Sequence, residues 1–165
     1  MRSRENRGET TLRLDESTIL LDINAENKES VLKQMSDNLV KEGLVKTSFV
    51  DAIIARENEY PTGLPTAGVA VAIPHTDVEH VNEKTISIGR LKEPVPFGMM
   101  GGDPSEQVEV KVVFMLAMKE AHAQLTLLQQ LMQLFQNESK LMQIVNATSK
   151  EEVKLLIDDS LELTV

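Results

Sequence analysis

The sequence predicts an α/β fold: a mixed, roughly five-stranded sheet flanked by helices on both faces, in a single domain. Three observations carry that expectation. Apolar, β-branched runs at 18–23, 68–73, 85–91 and 108–117 are interspersed with helix-periodic stretches at 28–42, 47–59 and 121–136. The runs at 68–73 and 108–117 are nearly continuously apolar, as strands covered on both sides tend to be. Finally, 165 residues with 41% apolar content suffice for one sizeable core, since chains of this length bury about 70% of their unfolded surface.

Taken in order, residues 1–11 are polar and charged and are expected to form a flexible tail ahead of a domain spanning 12–165. Residues 12–14 have the composition of a short edge strand. A strand at 18–23 leads into Asn24-Ala25-Glu26-Asn27, a turn and cap region. Over 28–42, Val31, Leu32, Met35, Leu39 and Val40 recur at helical spacing, and Gly43 closes the helix. A second helix, capped at Thr47 or Ser48, runs to about residue 59 with Phe49, Val50, Ile53 and Ile54 inward. Residues 61–66, punctuated by Pro61, Gly63 and Pro65, read as a loop. The strand after it ends in Ile73-Pro74-His75. Alternation at 85–91 marks a half-buried strand, 97–104 a glycine-rich loop and 108–117 a central strand. The next helix, 121–136, is expected to bury Leu125, Leu128, Leu131, Met132 and Phe135. Two short helices follow, over 138–146 and 149–158, capped at Asn137 or Glu138 and at Thr148 or Ser149.

Charge excludes several classes. A net charge of −9 and a pI near 4.9 oppose sequence-independent nucleic-acid binding, which needs a basic patch. An anionic membrane surface is disfavoured for the same reason. The longest apolar run, 112–118, is far short of the roughly 20 residues that span a bilayer, so no membrane insertion is expected. There is no cysteine, hence no disulfide and no thiolate chemistry. With a charged N-terminus and no apolar segment behind it, a cytoplasmic location is expected.

Three histidines remain as reactive candidates: His75, His80 and His122. A proline directly before His75 ends its strand, and His122 falls at the first turn of the helix after the central strand. Both therefore belong to strand ends, where covered α/β sheets place ligands. A neutral imidazole is nucleophilic near neutral pH, a second ring beside it stabilises charge, and the planar donor fork of Arg56 suits phosphate oxygens. Phosphoryl transfer asks a protein mainly for positioning and charge stabilisation, so this set suffices. Thr66 and Thr76 add hydroxyls, and the helix beginning near Ala121 adds unpaired N–H groups. His80, in a polar run, is expected to be exposed and idle. Met99 and Met100, set among glycines, suit either an adaptable contact surface or core filling from a loop. The plain alternatives are a capped structural histidine at 75, a helix-start histidine without a role at 122, and a surface arginine at 56. Zinc held by His75, His122 and Asp77 lacks a helical HExxH spacing, and no Gly-x-Ser-x-Gly elbow supports a hydrolase.

The run Arg56-Glu57 … Tyr60-Pro61-Thr62-Gly63-Leu64 … Gly68-Val69-Ala70-Val71-Ala72-Ile73-Pro74-His75-Thr76 resembles the active-site signature of enzyme IIA of the bacterial phosphoenolpyruvate-dependent sugar phosphotransferase system (PTS), fructose/mannitol type. The stretch Val112–Ala117 followed by His122-Ala123-Gln124-Leu125 is similar to the second histidine region of the same family. The likeness extends over about 15–163. Thr76-Asp77 resembles the galactitol-specific branch, whereas many fructose and mannitol members carry glycine after the histidine.

This resemblance implies a phosphocarrier with a phosphohistidine intermediate. His75 is then the phosphorylated residue, through Nε2; His122 stabilises the phosphoryl group; Arg56 sets charge and geometry; Glu57, Thr66 and Thr76 support the site. The implied donor is the carrier protein HPr. The implied acceptor is a cysteine of a sugar-specific, galactitol-like enzyme IIB, with membrane IIC involved only indirectly. Since no cysteine is present, that acceptor is expected on another chain. No metal or organic cofactor is implied. Two alternatives stay open: a regulatory phosphoprotein of the nitrogen-related branch, and a non-catalytic interaction module with a degenerate site.

Overall fold

In the computed structural model, residues 14–161 are described. The tail expected over 1–11 lies outside them, as does most of the edge strand expected at 12–14; Leu14 itself belongs to no strand and buries its side chain. The elements are β1 (Ile19–Ile23), α1 (Lys28–Lys41), α2 (Ser48–Glu59), β2 (Gly63–Leu64), β3 (Ala70–Ala72), β4 (Thr85–Gly98), β5 (Gln107–Ala117), α3 (Ala121–Phe135), α4 (Glu138–Asn146) and α5 (Lys150–Ser160). Single 3₁₀ turns occupy Glu16–Thr18 and Val78–His80.

Local chemistry sets the helix boundaries. Asn27, Asn137 and Ser149 each accept a hydrogen bond from a backbone N–H three residues on, satisfying one of the donors a helix start leaves open. Gly43 follows α1 at φ 77°, a left-handed conformation that only glycine adopts at no steric cost. Thr47 occupies the cap position of α2 but makes no side-chain cap bond.

The sheet has the order β1-β4-β5-β3-β2. β4 and β5 form a long antiparallel hairpin, β1 and β3 join its two sides in parallel, and β2 pairs antiparallel with β3 at the edge. Helices cover both faces, as the sequence predicts. Along β5, side chains alternate between the two cores. Val112, Phe114 and Leu116 pack with Leu127, Leu131, Phe135, Leu141 and Ile157 on one side. Val113, Met115 and Ala117 pack with Leu32, Met35, Leu39, Phe49 and Ile53 on the other. The rings of Phe114 and Phe135 meet at 5.1 Å in a tilted arrangement, tying α3 to the central strand.

Three expectations change. The loop expected over 61–66 contains β2. The strand expected to end at 91 continues to Gly98 through an irregular register between Arg90 and Val95, where Lys92, Glu93 and Pro94 are exposed. On α3 the buried side chains are Ala123, Leu127, Leu131, Leu134 and Phe135, whereas Leu125 and Met132 are 53% and 39% exposed. The inward face is rotated from the one expected.

Candidate active site

Because β3 and β5 run parallel, their C-terminal ends lie on one edge of the sheet. Ala72 pairs with Val113, and Leu116 N–H donates to Pro74 O at 2.9 Å, so the pairing persists past the last residue of β3. Proline has no N–H of its own to offer, yet its carbonyl continues the ladder. His75 is thereby delivered, half-buried, at the rim of the sheet. The chain leaving β5 turns at Lys119 and Glu120 into α3, which brings His122 to the same edge, on an exposed first turn.

His75 opens onto a cleft of about 390 Å³ together with Arg56, Tyr60, Thr62, Met99 and Met100. Arg56 sits in the last turn of α2, and its guanidinium lies over the ring of Tyr60 at 4.6 Å. The Met99–Gly102 turn is held against β2: Met100 N–H donates to Gly63 O at 2.8 Å, and Gly63 forms an isolated parallel bridge with Met99. Only glycine fits at position 63. A Cβ there would stand 2.6 Å from Gly98 O and 2.8 Å from Val108 Cγ2. Both methionines are partly buried; they line the cleft, and Met100 also packs against the core beneath α3.

The ring of His75 is fixed by its own backbone. Nδ1 lies 2.8 Å from Ile73 O. A carbonyl only accepts, so Nδ1 carries the hydrogen and Nε2 keeps its lone pair. Burial pushes the His75 pKa below its ordinary value; the Arg56 charge pushes the same way, and the bond to Ile73 opposes both. A neutral, nucleophilic imidazole at neutral pH follows.

Behind the ring runs a buried polar chain. Thr62 N–H and Thr62 Oγ1–H donate to Glu57 Oε2 and Oε1, each at 2.8 Å, and Ile73 N–H donates to Thr62 Oγ1 at 3.1 Å. Glu57 is 1% exposed, and burial pushes its carboxyl up to about 7 against the lowering effect of the two Thr62 bonds and of Lys28. The sequence marks Glu57 only as support and assigns Thr62 no role. The inward phase Phe49, Ile53, Glu57 in α2 was the available signal, since steps of four residues keep one helix face.

The remaining candidates are distributed as follows. Thr76, next to His75, is buried. Thr66 does not line the cleft. Its hydroxyl donates to Val69 O and accepts from the N–H groups of Gly68 and Val69, closing the turn before β3. His122 is not in the cleft lining either. His80 corrects an expectation, being half-buried with Nδ1 bonded to Ser48 Oγ at 2.8 Å, where it fastens its turn to the start of α2. Among the described residues no three His, Cys, Asp or Glu side chains are placed to hold a metal ion, and no helix is long and apolar enough to cross a membrane.

An open mixed sheet bearing a histidine at its edge has close counterparts among enzyme IIA domains. The fold superimposes on enzyme IIAMTL of Escherichia coli, solved in complex with phosphorylated enzyme IIBMTL, with a TM-score of 0.73 and 26% identity, over 90% of this chain and 99% of that one. Residues 13–160 match the family described as phosphoenolpyruvate-dependent sugar phosphotransferase system, EIIA 2, and the chain belongs to that family of phosphotransferase components. The galactitol-specific EIIA component of Escherichia coli K12 is 31% identical over 102 residues, which is 62% of this chain and 67% of the relative. Multiphosphoryl transfer protein 2 of the same strain is 31% identical over 150 residues, 88% of this chain, and the chain spans 17% of its length.

Proposed function

We propose that this chain is a histidine phosphocarrier of sugar uptake. In this reading His75 takes a phosphoryl group from phospho-HPr and passes it to a cysteine of a galactitol-type enzyme IIB. The observation that carries the reading is the Nδ1–H···O=C bond from His75 to Ile73, which leaves Nε2 as the free nucleophile in an open cleft.

Each step balances. Nε2 attacks phosphorus as the N–P bond of the donor phosphohistidine breaks, and the donor imidazole leaves with that electron pair. No proton moves: the donor ring, protonated on its other nitrogen, leaves as neutral imidazole, and His75 keeps its Nδ1 hydrogen. In the second step a cysteine thiolate of the acceptor attacks the same phosphorus, the S–P bond forms, and His75 leaves as neutral imidazole. Arg56, from the same cleft, neutralises charge on the equatorial oxygens. In this reading His122, exposed on the first turn of α3 outside the cleft lining, acts on the phosphoryl group from the rim, and the N–H groups of that turn favour an anion. The rim of Tyr60, Pro61, Met99 and Met100 is the adaptable apolar surface that two successive partners would meet.

The test uses ³²P-labelled phospho-HPr. The intact chain is expected to take label, hold it as an acid-labile, base-stable adduct and release it when a galactitol-type IIB is added, and His75→Gln is expected to take none. Label that discharges to no IIB would replace the carrier with a regulatory phosphoprotein. No label at all would leave an interaction module.

A further inference from the structure

We infer that Glu57 is a positioning residue for His75: acting through Thr62 and the Ile73 backbone, it holds the imidazole in the Nδ1–H tautomer. The inference rests on the reading of His75 as phosphoryl acceptor for its consequence, though not for its geometry.

When ionised, above its pKa of about 7, Glu57 has acceptors only. Both oxygens of Glu57 are taken by Thr62, one by its N–H and one by its hydroxyl. The hydroxyl hydrogen is therefore committed to Glu57, and the lone pairs of Oγ1 face away and accept Ile73 N–H, which is shared with Thr62 O at 3.4 Å. Ile73 carries both links of the relay: its N–H is bound by Thr62, and its carbonyl accepts from His75 Nδ1 at 2.8 Å. Pro74 O, bound by Leu116 N–H, fixes the intervening peptide. Glu57, Thr62 and Ile73 are 1%, 4% and 1% exposed, so no solvent competes along the chain.

Packing alone does not call for a carboxylate here. Burial pushes its pKa to about 7, and an apolar side chain of similar volume would fill the space without that penalty. What the acid supplies is direction. Glutamine in its place offers one acceptor and one donor to two donors of Thr62, so one bond is lost or the hydroxyl must turn round. The effect would then reach Ile73 O, and with it the preference of the ring.

The experiment reads the His75 ring by ¹⁵N NMR in the full chain, alongside melting temperature and HPr-dependent phosphorylation. The unmodified protein is expected to show the Nδ1–H tautomer almost alone. Glu57→Gln and Thr62→Val, folded, are expected to give a tautomer mixture and phosphorylation slowed about tenfold in kcat with KM for HPr little changed. Thr62→Ser, which keeps the hydroxyl, is expected to restore both. Should either isostere fail to fold, Thr62→Ala gives the same readout with less crowding. Folded variants with an unchanged tautomer would overturn the inference even if His75 accepts phosphate normally. A shifted tautomer in a protein that takes no phosphate would uphold the positioning and overturn the phosphocarrier reading.

Discussion

The guanidinium of Arg56 lies 4.6 Å above the ring of Tyr60, four residues further on, so the last turn of α2 and the residue that ends it form one unit on the lip of the His75 cleft. The stack holds the cation near enough to His75 to depress its pKa while its donor edge stays open. A planar fork does two things there that an ammonium cannot: it lies flat on the ring, and it offers paired donors to phosphate. Arg56→Lys is accordingly expected to lower the phosphoryl-transfer rate by about 10²-fold, in the range seen when one charge-stabilising donor is removed. Melting temperature should move little. Rapid-quench kinetics with labelled HPr checks this, and a lysine variant at full speed would remove Arg56 from the proposed chemistry.

The buried carboxyl predicts a pH dependence of stability. Glu57 titrates near 7 in the folded chain against an ordinary value of 4.5, so between those limits the folded state binds more protons than the unfolded one. Its contribution therefore declines as pH rises from about 4.5 to about 7. His75 works the other way: its folded pKa is below the ordinary 6.5, so stability rises with pH up to about 6.5. Glu57→Gln removes the first slope and leaves the second. Urea midpoints measured from pH 5 to 8 should show the variant gaining stability, relative to the parent, as pH rises to about 7, with the difference levelling off above it.

Gly63 supports a third expectation. Its backbone is so close to Gly98 that a methyl group would stand 2.6 Å from the carbonyl oxygen there, and backbone cannot yield as a flexible side chain can. Gly63→Ala should cost about 1–3 kcal/mol, the usual penalty of overpacking, and should push the Met99–Gly102 turn away from β2. Denaturant unfolding measures the first effect. The second would appear as slower exchange of phosphate with both partners, since the methionine side of the cleft would no longer meet His75.

Much of this architecture was legible because local signals agreed. Asn27, Asn137 and Ser149 are strong cap residues directly before apolar periodicity, and the apolar run broken by Pro74 placed His75 at a strand end. β2 was hidden because two residues carry no periodicity, and its partners, Val71 and Ala72, exist only in the fold. The continuation of β4 was hidden because Lys92, Glu93 and Pro94 interrupt the alternation where the strand is irregular. Glu57 was obscured by composition. Arg56-Glu57-Asn58-Glu59 looks like a solvated helix end, and only the four-residue step from Ile53 turns its second member inward.

The inward face of α3 is hidden in the sequence for a different reason. Leu125, Leu127, Leu128, Leu131, Met132, Leu134 and Phe135 spread over about half of the helix circumference, so hydrophobic pattern alone does not say which edge of that arc turns inward. The core on that face of the sheet decides it by drawing Leu127, Leu131 and Phe135 inward and leaving Leu125 and Met132 in solvent. Truncating Leu131 to alanine should therefore cost about 2–5 kcal/mol, as for other filled core positions. Leu125→Ser and Met132→Ser should each cost within about 0.5 kcal/mol. Chemical denaturation of the three variants checks the orientation directly, and a large loss at Leu125 would mean that α3 is rotated toward the face its sequence first suggested.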